Sequence, residues 1–159
     1  MDQTEEQGDL LETIIGVVPG SALSALRALR PDIVRHTQGS HDVLLSPTDP
    51  GGLSLVERAL IARRTAELSH HGALAAHYRT LHQQRGEPAA GPRCDAILAH
   101  VARVTTAPRT ATPAALAALS SVGLSATDIV ALTQIVAFVS YQVRAAAGLA
   151  LLTQKEHAA

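Results

Sequence analysis

Large rings are almost missing from this chain: its 159 residues include no tryptophan, one phenylalanine and two tyrosines. A core without rings must close through Ala, Leu, Val and Ile, a composition that suits helices packed closely through small side chains. Cysteine is nearly absent too. Cys94 is the only one, which excludes an internal disulfide and any Cys-x-x-Cys redox pair within one chain and fits a reducing cytoplasm. Charged residues make up 17% with a net of −1, so nothing points to nucleic acid or an anionic membrane as a partner. The uncharged run Ile129 to Val143 is too short to span a bilayer and carries Thr133, Gln134, Ser140, Tyr141 and Gln142, which reads as a buried helix of a soluble protein. Strand signals are also missing, because β-branched residues stand singly among alanines.

The neutral total conceals an asymmetry. Asp2, Glu5, Glu6, Asp9 and Glu12 precede every basic residue, so residues 1–12 carry −5 and the remainder +4. Residues 1–12 therefore read as an acidic solvated arm without the basic and apolar regions of an export signal, and 13–159 as a single helical domain.

Helix punctuation is plentiful. Ser21 caps a short helix through Leu29, and Pro31 opens another that runs to about Leu45. After the loop Ser46-Pro-Thr-Asp-Pro-Gly-Gly52, Ser54-Leu-Val-Glu57 has the form of a capping box and starts a helix to about Leu68. Ser69 is expected to cap the next helix, through about Gln84. Further helices cover about Cys94 to Thr105, Pro113 to near Gly123, and a long apolar one after the capping box Ser125-Ala-Thr-Asp128. That last helix is apolar nearly all round, which calls for cover from partner subunits and predicts a homo-oligomer.

Three of the eight histidines fall in Ser69-His-His-Gly-Ala-Leu-Ala-Ala-His77. With Ser69 as cap, His70, Leu74, His77 and Leu81 share an inward stripe, while His71, Tyr78, His82 and Arg85 share one facing solvent or a contact. On spacing alone, His77 reads first as a hydrogen-bonded core histidine. Metal binding is not expected from this segment, since no histidines stand at i, i+3 or i, i+4, and seven residues separate His70 from His77 by roughly 10 Å along the axis. A small organic molecule between the two imidazoles fits better.

The runs Leu53-Ser-Leu-Val-Glu57, Ala66 to His77, Ile97-Leu-Ala-His-Val-Ala-Arg-Val-Thr105, Gly123 to Val130 and Phe138-Val-Ser-Tyr-Gln-Val-Arg144 together resemble the carboxymuconolactone decarboxylase-like superfamily. The resemblance is closest to its alkylhydroperoxidase D-like, peroxidase-related branch, and it covers roughly residues 25 to 152. It implies an all-α bundle of six to eight helices that assembles as an oligomer and needs no cofactor or metal.

The family's peroxidases pair a glutamate with Cys-x-x-Cys-x-x-x-His. By position, the resemblance assigns the glutamate to Glu57, the cysteines to His70 and Ala73, and the histidine to His77. Thiol cycling is therefore expected to be absent, because neither an imidazole nor a methyl group resolves a sulfenic acid. What the resemblance leaves is Glu57, His77 and His70 for acid–base chemistry on a small carboxylated molecule, with Tyr141 and Arg144 as its binding groups. Each has a plainer alternative: Glu57 completes a capping box, Tyr141 is an interface ring and Arg144 a solvated cation. Cys94 reads as a small buried hydrophobe rather than a thiol working with an external partner. A different class of function stays open, a non-catalytic helical oligomer that partners a redox enzyme.

Overall fold

The computed structural model describes residues 10–157, with side chains through Thr153. Among these residues there are eight α-helices and no strand. They are α1 (Leu10–Ile15), α2 (Ala22–Ala28), α3 (Pro31–Leu45), α4 (Leu55–Leu68), α5 (Gly72–Arg85), α6 (Pro92–Thr106), α7 (Pro113–Ser121) and α8 (Ala126–His157), with a 3-10 turn at Pro108–Thr110.

Helix starts follow local chemistry. The Ser21, Ser54 and Thr112 side chains accept from backbone N–H groups of the first turn, and prolines occupy the first turns of α3, α6 and α7. Both arms of the Ser54–Glu57 capping box are made. The Ser125–Asp128 box opening α8 is likewise closed from both sides. The acidic stretch through Asp9 lies outside the described residues. Leu10 to Glu12, expected to belong to the arm, instead begin α1: Leu11 is buried in the core and Glu12 accepts from Arg27 Nε at 2.7 Å.

Helix α4 is the central element, packed against α5, α6 and α8. Ala59, Ile61, Ala62, Thr65 and Ala66 are completely buried along it, and such short side chains let helix axes approach closely. Leu74 and Tyr78 of α5, Ile97 and Val101 of α6, and Leu132, Ile135, Val136 and Val139 of α8 complete the core. Burying one aliphatic side chain of this size contributes roughly 1.5–3 kcal/mol.

Helix α8 is 32 residues long and continues through Gly148. Its buried stripe runs Leu132, Ile135, Val139, Gln142, Ala146, while Val130, Tyr141, Leu151 and Leu152 face outward. Its segment Ala126–Thr153 is long and apolar enough to cross a bilayer by length and composition, with mean hydropathy 1.7, and is the single such segment among the described residues. It is longer than the uncharged run Ile129 to Val143 because Asp128 and Arg144, which bound that run, both lie inside it. Val18, Leu26, Leu29, Ile33 and Val43 add to the outward apolar surface on the first three helices and their connections.

The connector between α3 and α4 is held by two arginines. Arg58, buried, donates to the carbonyls of Leu53, Leu44 and Pro50 at 2.8–2.9 Å. Arg85 donates to the Leu45 and Leu55 carbonyls and to Ser46 Oγ.

Candidate functional site

Glu57 sits in the first turn of α4 and is buried. Its Oε2 accepts from the Ser54 amide and hydroxyl, and its Oε1 accepts from Arg93 Nε at 2.6 Å. Burial alone pushes this carboxyl up, but the Arg93 guanidinium and the Ser54 donors together hold it below the usual carboxylate range. Arg93 also donates to the Gly52 carbonyl, and the Gly52 amide donates to Asp128 Oδ1. The starts of α4, α6 and α8 are thus tied into one polar cluster, and Glu57 is spent on it rather than on a histidine.

The α4–α5 junction departs from the expected cap. Ser69 closes α4, and it is His71 whose Nδ1 accepts from the Leu74 amide as the N-cap of α5. His70 lies between the helices with φ +56°, in the left-handed region, and is exposed. It therefore does not share a helical stripe with His77. The buried face of α5 is Leu74, Ala75, Tyr78 and His82, so Tyr78 and His82, expected outside, are wholly inside. The Tyr78 hydroxyl donates to Gln142 Oε1, and its burial pushes the phenol pKa up. His82 Nδ1 lies 3.2 Å from Arg63 Nη1, and its Nε2 lies 3.5 Å from Glu87 without a well-formed hydrogen bond. Ala73, to which the resemblance assigns the second cysteine, is exposed in the first turn of α5.

His77 is half-buried and meets partners that the sequence reading overlooked. Its ring lies 5.0 Å from Tyr78, edge-on, and 6.2 Å from His41 of α3. His41 in turn neighbours Tyr78 and Phe138, each at 6.4 Å between centroids. His41 Nδ1 lies 3.0 Å from Asp42 Oδ1. Burial, and then the nearby His41, lower the His77 pKa, so its imidazole is neutral at pH 7. The Nε2 atoms of both His41 and His77 are buried without a hydrogen-bond partner among the described residues. Helical periodicity carried a signal for His41: Val34, Thr37, Gln38, His41 and Leu45 fall at i, i+3, i+4, i+7 and i+11 on one face of α3.

Beside this cluster a groove of about 620 Å³ runs between α3 and α8, lined by His36, Gly39, Ser40, Val43, Leu44, Gln134, Ala137 and Phe138. A second hollow of about 390 Å³ shares His36, Ser40 and Phe138 and adds Asp32, Ile33, Thr37 and Tyr141. Tyr141 is exposed at this rim, with its hydroxyl 3.4 Å from Thr37 Oγ1. Arg144, also exposed, turns its guanidinium to the Ser140 carbonyl of its own helix. The structure thus brings His77 together with His41, Tyr78 and Phe138, and leaves Glu57, His70 and Arg144 in separate surroundings.

Among the described residues, no group of three or more His, Cys, Asp or Glu side chains is placed to hold a metal ion. Cys94 is half-buried in the first turn of α6. Burial and the neighbouring Asp95, Glu57 and Glu87 push its thiol up, away from an activated thiolate.

No family model matches the sequence. No curated protein matches it either. Four chains of solved structures do match. One is an uncharacterized peroxidase-related protein with the alkylhydroperoxidase AhpD core from Ralstonia eutropha JMP134, at 26% identity and TM-score 0.56, over 76% of this chain and 70% of that one. The fold is therefore the all-α alkylhydroperoxidase D-like core. The chain takes its place in the alkylhydroperoxidase D-like superfamily.

Proposed function

We propose that the chain binds and transforms a small organic molecule by proton transfer at His77, without thiol chemistry. The observation that supports this is the imidazole pair: His77 is neutral, half-buried and next to His41, whose ring is oriented by a carboxylate. Asp42 and His41 take the supporting place that the resemblance gave to Glu57, which is committed to Arg93. The groove and the hollow walled by Phe138, the hollow with Tyr141 at its rim, are the approach we assign to the ligand, and Arg144 takes no part in it. A lone thiol with a raised pKa argues against peroxidase turnover through Cys94. The reading places the protein in a reducing compartment such as the cytoplasm, as a homo-oligomer covered along α8.

The test is a screen of small acids, alcohols and phenols by ligand-observed NMR, followed by turnover of each hit. Loss of binding or turnover in His77→Ala, with the fold intact by circular dichroism, is expected. Unchanged binding and turnover in that variant, or rapid peroxide consumption with a dithiol donor, overturns the reading.

One observation favours a second reading, a non-catalytic helical oligomer that partners a redox enzyme: the outward apolar residues Leu26, Ile33, Val43, Val130 and Leu151. A monomer by light scattering at micromolar concentration argues against assembly in either reading.

A further inference from the structure

Two nitrogens in the imidazole pair are satisfied by nothing among the described residues. Nε2 of His41 and Nε2 of His77 are both buried without a hydrogen-bond partner, and their rings lie 6.2 Å apart, tilted by 53°. Buried polar atoms are normally paired, so two orphans on neighbouring rings call for a guest.

The neighbour of one ring selects its tautomer. The Asp42 carboxylate, itself held by Gln38 Nε2 at 3.0 Å, can only accept, which favours the His41 tautomer with the proton on Nδ1 and a lone pair on Nε2. His77 has no such fixed partner, and its Nε2 is free to carry a proton.

We infer that His41 and His77 form a two-point site for a neutral protic group, the hydroxyl of a phenol-like molecule. Its O–H donates to the His41 lone pair and its oxygen accepts from the His77 N–H. An anion fits this spot poorly. The His41 lone pair and the Asp42 charge both repel a carboxylate, and Arg144 is turned to the Ser140 carbonyl. The surroundings are aromatic: Tyr78 lies 5.0 Å from His77, Phe138 lies 6.4 Å from His41, and Phe138 is also a wall of the 620 Å³ groove. The inference rests on His77 as the proton-transfer residue and narrows its substrate class: the hydroxyl proton passes to the His41 lone pair while the His77 N–H holds the oxygen that loses it, with no redox step.

The test uses phenol and benzoate as matched probes on the full chain with 15N-labelled histidines, at pH 8. Phenol is expected to shift the Nε2 signals of His41 and His77 saturably, while those of His36 and His70 stay fixed. Benzoate at equal concentration is expected to leave all four unchanged. His41→Phe, which keeps a ring and removes the nitrogens, should weaken phenol binding at least tenfold, and His41→Gln gives a second readout should the first variant fold poorly. Benzoate shifting the same signals at equal or lower concentration overturns the ligand class while leaving His77 as the site. Phenol binding that is unaffected in both His41 variants, or no phenol shift at either ring, overturns the two-point site. Turnover of another compound that survives in His77→Ala overturns the underlying reading instead.

Discussion

Arg93 Nε donates to Glu57 Oε1 across 2.6 Å, linking two residues 36 positions apart and fixing the start of α6 to the start of α4. The same carboxylate receives the Ser54 cap donors, so one side chain closes a local motif and a long-range contact. Arg93→Met is expected to lower stability by about 1–2 kcal/mol, because the pair is only partly shielded from solvent. Urea unfolding of Arg93→Met, Glu57→Gln and the double variant checks it. Single losses that simply add would show that the two side chains act independently.

Gly52 has no room for a side chain. A Cβ there would come within 2.5 Å of Asp128 Oδ2, and Asp128 is pinned by the Ser125 amide and hydroxyl. Gly52→Ala is expected to cost about 1–3 kcal/mol through this overpacking and the strained Gly52–Asp128 hydrogen bond. Gly39→Ala, inside α3 where a Cβ meets nothing within 4 Å, is the control and should unfold at or above the parent midpoint.

Stability should fall in two stages on acidification. The His77 pKa is lowered by burial and by His41, so the unfolded chain binds a proton near its ordinary pKa of about 6.5 while the native state resists it. This contribution is complete above about pH 6.5 and fades as pH drops through the lower native value. Glu57, also lowered in the folded state, contributes above about pH 4.3 and loses its share as pH falls further. Buried His100 shares the first window. The pH 8 to pH 5.5 drop in urea midpoint should therefore shrink in His77→Gln without vanishing. An identical drop in parent and variant would refute the His77 assignment.

Tyr78 is completely buried, and its hydroxyl donates to Gln142, also buried. Tyr78→Phe leaves the amide oxygen without this donor and should cost about 1–3 kcal/mol in thermal or urea unfolding. Tyr78→Phe with Gln142→Leu, which removes both polar groups, should recover much of that loss; no recovery would mean that the bond is not the source.

Local hydrogen-bond chemistry made most helix starts legible. Ser21, Ser54, Thr112 and Ser125 each work on the three residues that follow them, and Pro31 and Pro113 marked the first turns of α3 and α7, whereas Pro92, read as part of a loop, opens α6. The start of α5 was not legible, because the capping atom is an imidazole nitrogen of His71 and not the Ser69 hydroxyl. That shift turned the inward face toward Tyr78 and His82 and left His70 in the turn. Helix α1 was hidden by the acidic residues around it, although Leu10, Leu11, Ile14 and Ile15 have helical spacing. In the site, His77 was found through the motif that carries the resemblance. His41 and Arg93 were not, since both reach their partners through tertiary packing that no short motif encodes.

Arg58 closes the α3–α4 connector by gripping three carbonyl oxygens. Such a clamp recognises main chain alone and is indifferent to which side chains the connector displays. Substitutions at Pro47 and Thr48 that keep the connector's length and path should be absorbed, whereas inserting or deleting a single residue would move the oxygens off the guanidinium and set α3, with His41 on it, at a different height against His77.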